Sequence, residues 1–173
     1  NMPTVDANLT LTSTLNTTGQ LMVSQQLKVN PQAKAKPVLP RFGMTLVMPQ
    51  AFDHIHYYGR GPIENYWDRH TSTFLGIYDQ SVASQYSPYI RPQESGNKTD
   101  VRWWSIYNAS AGEGLTFTAP EPLEMASLNY LTSDLDGGPV KEAKQMHSGD
   151  LTARPFTVVH IAQRQMGLGC IDS

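Results

Sequence analysis

Leu9-Thr10-Leu11-Thr12-Ser13-Thr14-Leu15, then Asn16-Thr17-Thr18-Gly19, then Leu21-Met22-Val23-Ser24-Gln25-Gln26-Leu27-Lys28-Val29 is the stretch on which the fold class turns. Leu9, Leu11 and Leu15 fall on odd positions. After the Asn-Thr-Thr-Gly break, Leu21, Val23, Leu27 and Val29 fall on odd positions again, with polar residues between them. A period of two on both sides of a turn predicts a β-hairpin with one apolar and one polar face.

The same reading extends outward. Beyond Pro31, Pro37 and Pro40, the residues Phe42, Met44, Leu46 and Met48 alternate until Pro49 ends the run. Residues 54–60 predict a further strand, and 101–107 (Val-Arg-Trp-Trp-Ser-Ile-Tyr) one buried on both sides. Leu115-Thr116-Phe117-Thr118 is its expected hairpin partner, and Phe156 to Ala162 the last clear strand. Only Leu123 to Leu131, with Pro122 placed for a first turn, and Val140 to His147 are expected to be helical. Short strands with no βα alternation predict an all-β, antiparallel sandwich, with residues 1–173 forming one domain or part of one.

A chain of 173 residues buries roughly 70% of its unfolded surface on folding, enough for a core. Charged residues make up only 16% and the net charge is -2, so no basic field invites nucleic acid or anionic lipid. No apolar run reaches the ~18 residues of a membrane span. The single cysteine, Cys170, forms no internal disulfide and does not fix the redox compartment. The start at Asn1 and the end at Ile171-Asp172-Ser173, just past a strand-like stretch, read as those of a fragment.

The residue types that carry chemistry are scattered. Asp53, Glu64, Asp68, Glu94, Asp100 and Asp172 are candidate carboxylates, but no spacing singles out the acid and anion that glycosidic cleavage needs roughly 5–9.5 Å apart. Most stand beside Gly, Pro or Asn, where carboxylates cap turns. His54 and His56 project from one face of their strand, yet no third metal ligand follows by spacing, so a structural pair at a sheet edge is expected. Cys170 follows Gly167-Leu168-Gly169 without a basic neighbour to activate it, and there is no nucleophile elbow or phosphate-cradling glycine loop. Tyr57, Tyr58, Tyr66, Trp67, Tyr86, Tyr89, Trp103, Trp104 and Tyr107 interleave with Arg60, Arg69, Arg91 and Arg102. Such a mixture suits both a sandwich core and sugar recognition, in which C–H faces pack on rings.

Three ordered blocks add a family resemblance. Gly59-Arg60-Gly61-Pro62-Ile63-Glu64-Asn65-Tyr66-Trp67-Asp68-Arg69 resembles the Gly-x-Gly-Pro-x-Glu-Asn-Tyr-x-Asp-Arg signature in the last domain of family 2 β-galactosidases. Tyr86-Ser87-Pro88-Tyr89-Ile90-Arg91-Pro92-Gln93-Glu94-Ser95-Gly96 is similar to that family's Tyr-x-Pro-Tyr-x-x-Pro-Gln-Glu-x-Gly block. Gln165-Met166-Gly167-Leu168-Gly169 resembles its Gln-Met-Gly-x-Gly. The similarity is specific over about residues 39–119 and 152–173.

The resemblance implies the antiparallel supersandwich of galactose mutarotases and a role as accessory C-terminal domain of a retaining β-galactosidase. It implies that the two catalytic glutamates lie on a TIM-barrel domain of the same polypeptide, with magnesium and sodium bound there, and that the parent is a homo-oligomer acting on β-galactosides. No catalytic residue is expected in this chain. A family Trp that platforms the sugar follows the Asp-Ser pair, so Cys170, Asp172 and Ser173 are the expected pocket rim, while Glu94, Arg102 and Trp103 are candidate sugar or interface contacts. Cys170-Ile171 replace the family's Gly-Asp, and Lys98 stands where Arg is common, which keeps the charge but loses the planar fork. A free-standing aldose epimerase or a carbohydrate-binding module are the alternatives, although the His and Glu blocks of the epimerases have no counterpart here. Bacterial cytoplasm and periplasm both stay open.

Overall fold

The computed structural model describes residues 6–33, 39–90, 92–136 and 151–166, and resolves two compact units, Asn1–Leu39 and Pro40–Ser173. The first is the hairpin of β1 (Ala7–Leu15) and β2 (Leu21–Val29), paired antiparallel with Leu9 opposite Leu27 and Leu15 opposite Leu21. The Asn16 side chain organises its turn, accepting from the backbone N–H of Thr18 at 3.0 Å and of Gln20 at 2.8 Å. Gly19 supplies the left-handed residue at φ 82°. Directly opposed residues share a face, so Leu9, Leu11, Leu15, Leu21, Val23 and Leu27 form one apolar stripe. Of these, Leu9, Leu11, Leu15 and Leu21 are exposed.

The second unit is a six-stranded antiparallel sheet in the order β3-β8-β7-β6-β4-β5. Its strands are β3 (Arg41–Pro49), β4 (His54–Gly61), β5 (Phe74–Ser81), β6 (Lys98–Asn108), β7 (Glu113–Leu128) and β8 (Phe156–Gln165). A 3-10 turn at Val82–Gln85 and a single helical turn, α1 (Thr132–Leu135), complete the described elements. Among the described residues no helix is long and apolar enough to cross a membrane. The all-β antiparallel architecture expected from the sequence is the one observed.

The core lies on one face of this sheet, where Met48, Ile55, Tyr57, Val82, Val101, Trp104, Ile106, Met125 and Val159 pack together. Tyr57 stacks on Trp104 with ring centroids 4.7 Å apart and leans on Tyr78 at 5.4 Å. Buried side chains of this size each stabilise the fold by about 1.5–3 kcal/mol. Alternation in β4 is strict, with Ile55, Tyr57, Gly59 and Gly61 buried. A side chain at Gly61 would collide with the Tyr57 hydroxyl and the Tyr78 ring, so only glycine fits there. The Gly61–Pro62 peptide is cis.

Two strand-level expectations need correction, and one strand was not expected at all. Leu123 to Leu131 is not helical: Leu123–Leu128 is the second half of β7, held by β8 from Glu124 to Leu128. Pro120 and Pro122 fall between the register positions Thr118 and Leu123, where β7 makes no ladder with β6, so neither proline removes a needed hydrogen bond. The second correction concerns 101–107. Val101, Trp104 and Ile106 are buried, but Trp103, Ser105 and Tyr107 are only half-buried and Arg102 is exposed. A register shift between Val101 and Trp103 lets an odd and an even residue face the same core. The unexpected strand is β5, where Phe74-Leu75-Gly76-Ile77 lacks the alternation that marks a strand in sequence. It is an edge strand with Phe74, Leu75 and Ile77 exposed. The expected helix Val140 to His147 lies outside the described residues.

Candidate functional site

The first two motif blocks meet where β4 ends and β6 begins, because the antiparallel register sets Tyr58 opposite Trp103. Glu64 is at the junction, with a side chain only 6% exposed. Its carboxylate accepts from the Gly96 backbone N–H at 2.7 Å, from Ser95 Oγ at 3.4 Å and from Arg69 Nη2 at 2.9 Å. Gly96 has φ 77°, and a side chain there would press on the Gln85 carbonyl, so the loop delivers its N–H only as glycine. The Arg69 guanidinium lies over the rings of Tyr66 and Tyr89, 5.2 and 5.8 Å from their centroids, and donates to the Tyr89 hydroxyl at 2.9 Å.

Asn65 is fully buried and uses both ends of its amide. Its Oδ1 accepts from the Thr99 backbone N–H at 2.9 Å and the Thr99 hydroxyl at 2.5 Å, while Nδ2 donates to the Arg60 and Ile63 carbonyls at 3.1 Å each. Asn97 Nδ2 in turn donates to the Asn65 carbonyl at 2.9 Å and to Glu124 on β7 at 3.1 Å. Lys98, 1% exposed, donates to Gln85 Oε1 at 2.8 Å and the Gly96 carbonyl at 3.3 Å. Burial lowers its pKa to about 8, the Glu64 carboxylate acting in the opposite direction. Both motif blocks thus act as a polar clasp that fixes two loops to each other and to the sheet.

The remaining candidates are dispersed. Glu94 pairs with Arg41 at 3.3 Å; burial raises its pKa and the Arg41 charge partly opposes this. Arg102 lies over the Tyr58 ring at 5.6 Å, and Trp103 meets His56 edge-on at 4.9 Å. The structure therefore seats Arg102 and Trp103 side by side on β6 and engages Glu94 with a different strand. Cys170, Asp172 and Ser173 lie outside the described residues, as does Arg91 of the aromatic belt. Asp53 bonds to His54 Nδ1 at 2.7 Å and Asp100 to Arg60 Nε at 2.5 Å, each a local tie. His54 and His56 do share a face, but on an interior strand and not at a sheet edge, packed against Tyr107 and Trp103. Among the described residues no three His, Cys, Asp or Glu converge as metal ligands.

Sequence reasoning missed that Lys98 and Asn65 are clasp centres, since burial comes from strands brought in later in the chain. The one available signal was their place inside blocks already singled out.

An all-β antiparallel module whose motif loops lock onto one another is the class of protein that fold and site define. Residues 1–173 match the family described as Beta galactosidase small chain, and the chain belongs to that family. It is 41% identical over 137 residues to a β-galactosidase of Priestia megaterium, covering 79% of this chain and 12% of that protein. To β-galactosidases of Lactobacillus delbrueckii subsp. bulgaricus and Halalkalibacterium halodurans it is 37% and 35% identical, over 79% of this chain and 12% and 13% of theirs. The chain spans about an eighth of the length of these curated relatives.

Proposed function

We propose that this chain is one partial accessory domain of a retaining β-galactosidase, shaping the rim of the galactoside pocket and packing on a catalytic barrel in the same polypeptide. The observation that carries the reading is the clasp. Glu64, Asn65, Arg69, Asn97 and Lys98 all make internal hydrogen bonds, which suits a scaffold. The exposed leucine stripe of the β1-β2 hairpin supports packing on a neighbouring domain, because an isolated two-stranded hairpin is marginal in water.

The catalytic glutamates, and the magnesium and sodium that the resemblance implies, belong on this reading to the barrel. Homo-oligomerisation is likewise assigned to the parent. Release of chromophore from a chromogenic β-galactoside is the direct test. The pure chain is expected to give none, and a polypeptide carrying the barrel is expected to gain turnover when the chain is supplied in trans. Turnover by the chain alone would sink the reading.

A further inference from the structure

The strand order leaves β3 at one end of the six-stranded sheet and β5 at the other. Only β3 carries the features that keep an edge from pairing. Pro40 and Pro49 stand at its ends, Arg41 adds a charge, and its register with β8 shifts between Phe42 and Gly43. β5 has none of them. It runs Phe74-Leu75-Gly76-Ile77-Tyr78-Asp79-Gln80-Ser81 without proline, lysine or arginine, and it pairs with β4 at every position without a shift. Phe74 and Ile77 are 74% and 65% exposed, and Leu75 is exposed as well. The one charge, Asp79, is drawn back over the sheet, where it accepts from the Tyr107 hydroxyl of β6 at 3.0 Å. Among the described residues no strand pairs with the outer side of β5.

The sequence of β5 is also complementary to itself. When two copies of one strand pair antiparallel about a two-fold axis, the residue on the axis fixes every other pair, and opposed residues share a face. With Gly76 on the axis, Leu75 meets Ile77 of the second copy and Phe74 meets Tyr78 of the second copy, each pair forming twice. Asp79 then falls opposite Thr73, beyond the end of the strand. Moving the axis to Ile77 sets Leu75 against Asp79, an apolar side chain against a carboxylate. The Tyr78 ring already lies across Gly76, where an added Cβ would come within 3.1 Å of it. An aromatic ring thus covers the place of the missing side chain beside the axis.

We propose that β5 is the interface through which two copies of this chain join, antiparallel and centred on Gly76, into one continuous sheet with six strands from each copy. The axis is perpendicular to the sheet, so both cores lie on the same side of it. Pairing satisfies both β5 edges at once and leaves only the guarded β3 edges outside, which stops assembly at the dimer. The accessory-domain reading requires no such dimer and stands without it.

Amide exchange read by mass spectrometry, with sedimentation velocity on the same 173-residue chain, tests the interface. At concentrations where the dimer forms, slowed exchange is expected in residues 74–78 and not in β3 or the β1-β2 hairpin. Leu75→Glu and Ile77→Lys should each weaken the dimer by about tenfold or more, since each sets a charge against an apolar partner. The double variant places the two new charges opposite one another, twice, and should restore dimerisation to within about threefold of the unaltered chain. With Ile77 on the axis the same double variant would oppose two ammonium groups, so recovery reads the register as well as the strand. Both positions are exposed, and an unchanged far-UV spectrum checks that each variant folds. A chain that stays monomeric at every concentration, protection confined to another segment, or a double variant no stronger than the single ones would overturn the proposal.

Discussion

The carboxylate of Glu64 accepts a hydrogen bond from the backbone N–H of Gly96 at 2.7 Å, joining loops 32 residues apart in the chain. Replacing Glu64 by Ala leaves that N–H without its acceptor in a site where the carboxylate was 6% exposed, while the exposed Arg69 guanidinium keeps the Tyr89 hydroxyl. The expected loss is about 2–4 kcal/mol, read as a lower urea midpoint. Glu64→Gln should retain part of it, because one amide oxygen still accepts from Gly96.

Asn65 gives a sharper comparison between near-isosteres. Asn65→Asp keeps the oxygen that serves Thr99 but points a carboxylate oxygen at the Arg60 and Ile63 carbonyls, where Nδ2 now donates. Both lost bonds are in a fully buried position. Asn65→Asp is therefore expected to destabilise by at least as much as Asn65→Ala, about 2–4 kcal/mol in either case by denaturant titration.

Lys98 predicts a dependence on alkaline pH. Its folded pKa of about 8 lies below its ordinary value of 10.5, so between these limits the unfolded chain holds the extra proton. Stability contributed by this residue accordingly rises as pH increases from about 8 towards 10, by no more than about 3 kcal/mol. Above 10 the buried hydroxyls of Tyr57 and Tyr66, whose pKa values are raised chiefly by burial, act in the opposite sense. Thermal unfolding across pH 8–10 should show the rise in the parent chain and a flat profile in Lys98→Met.

His160 does the same on the acid side. Burial, with the Arg41 charge adding to it, lowers its pKa to about 4 from 6.5, so stability falls as pH drops through that interval. Glu94 and Glu124, raised by burial, oppose this in an overlapping range, so the measurement is a difference. Relative to His160→Gln, which keeps a partner for the Thr45 hydroxyl, the parent chain should lose about 2–3 kcal/mol more between pH 6.5 and 4.

The edge strand β5 carries Leu75 and Ile77 on its exposed side. An unpaired apolar edge templates further pairing, so the chain is expected to self-associate at high concentration in sedimentation velocity. Ile77→Lys should shift the distribution to monomer without lowering the melting temperature, and a chain that is strictly monomeric throughout would refute the edge as an association site.

Local alternation was enough to reveal the hairpin from Leu9 to Val29 and the strands beginning at Phe42, His54 and Phe156, because a period of two is written in neighbouring residues. It failed at Leu123–Leu131. There Pro122 imitates a helix start, and only pairing with β8 and with Lys98 on β6 settles the backbone as extended as far as Leu128. It also failed at Val101–Tyr107, where a register shift, invisible to periodicity, moves Trp104 into the core beside Val101.

The sequence alone determined the all-β class and, through its three ordered blocks, the family, since both rest on residue identity and near-neighbour spacing. What the blocks do was decided by tertiary structure. Glu64, Asn65, Asn97 and Lys98 are residue types equally suited to catalysis, sugar binding or internal bonding. Which of these they serve depends on burial and on partners up to 34 residues away, such as Thr99 for Asn65. The open edge of β5 belongs to the same category, for only the folded sheet sets that strand at the end of the strand order.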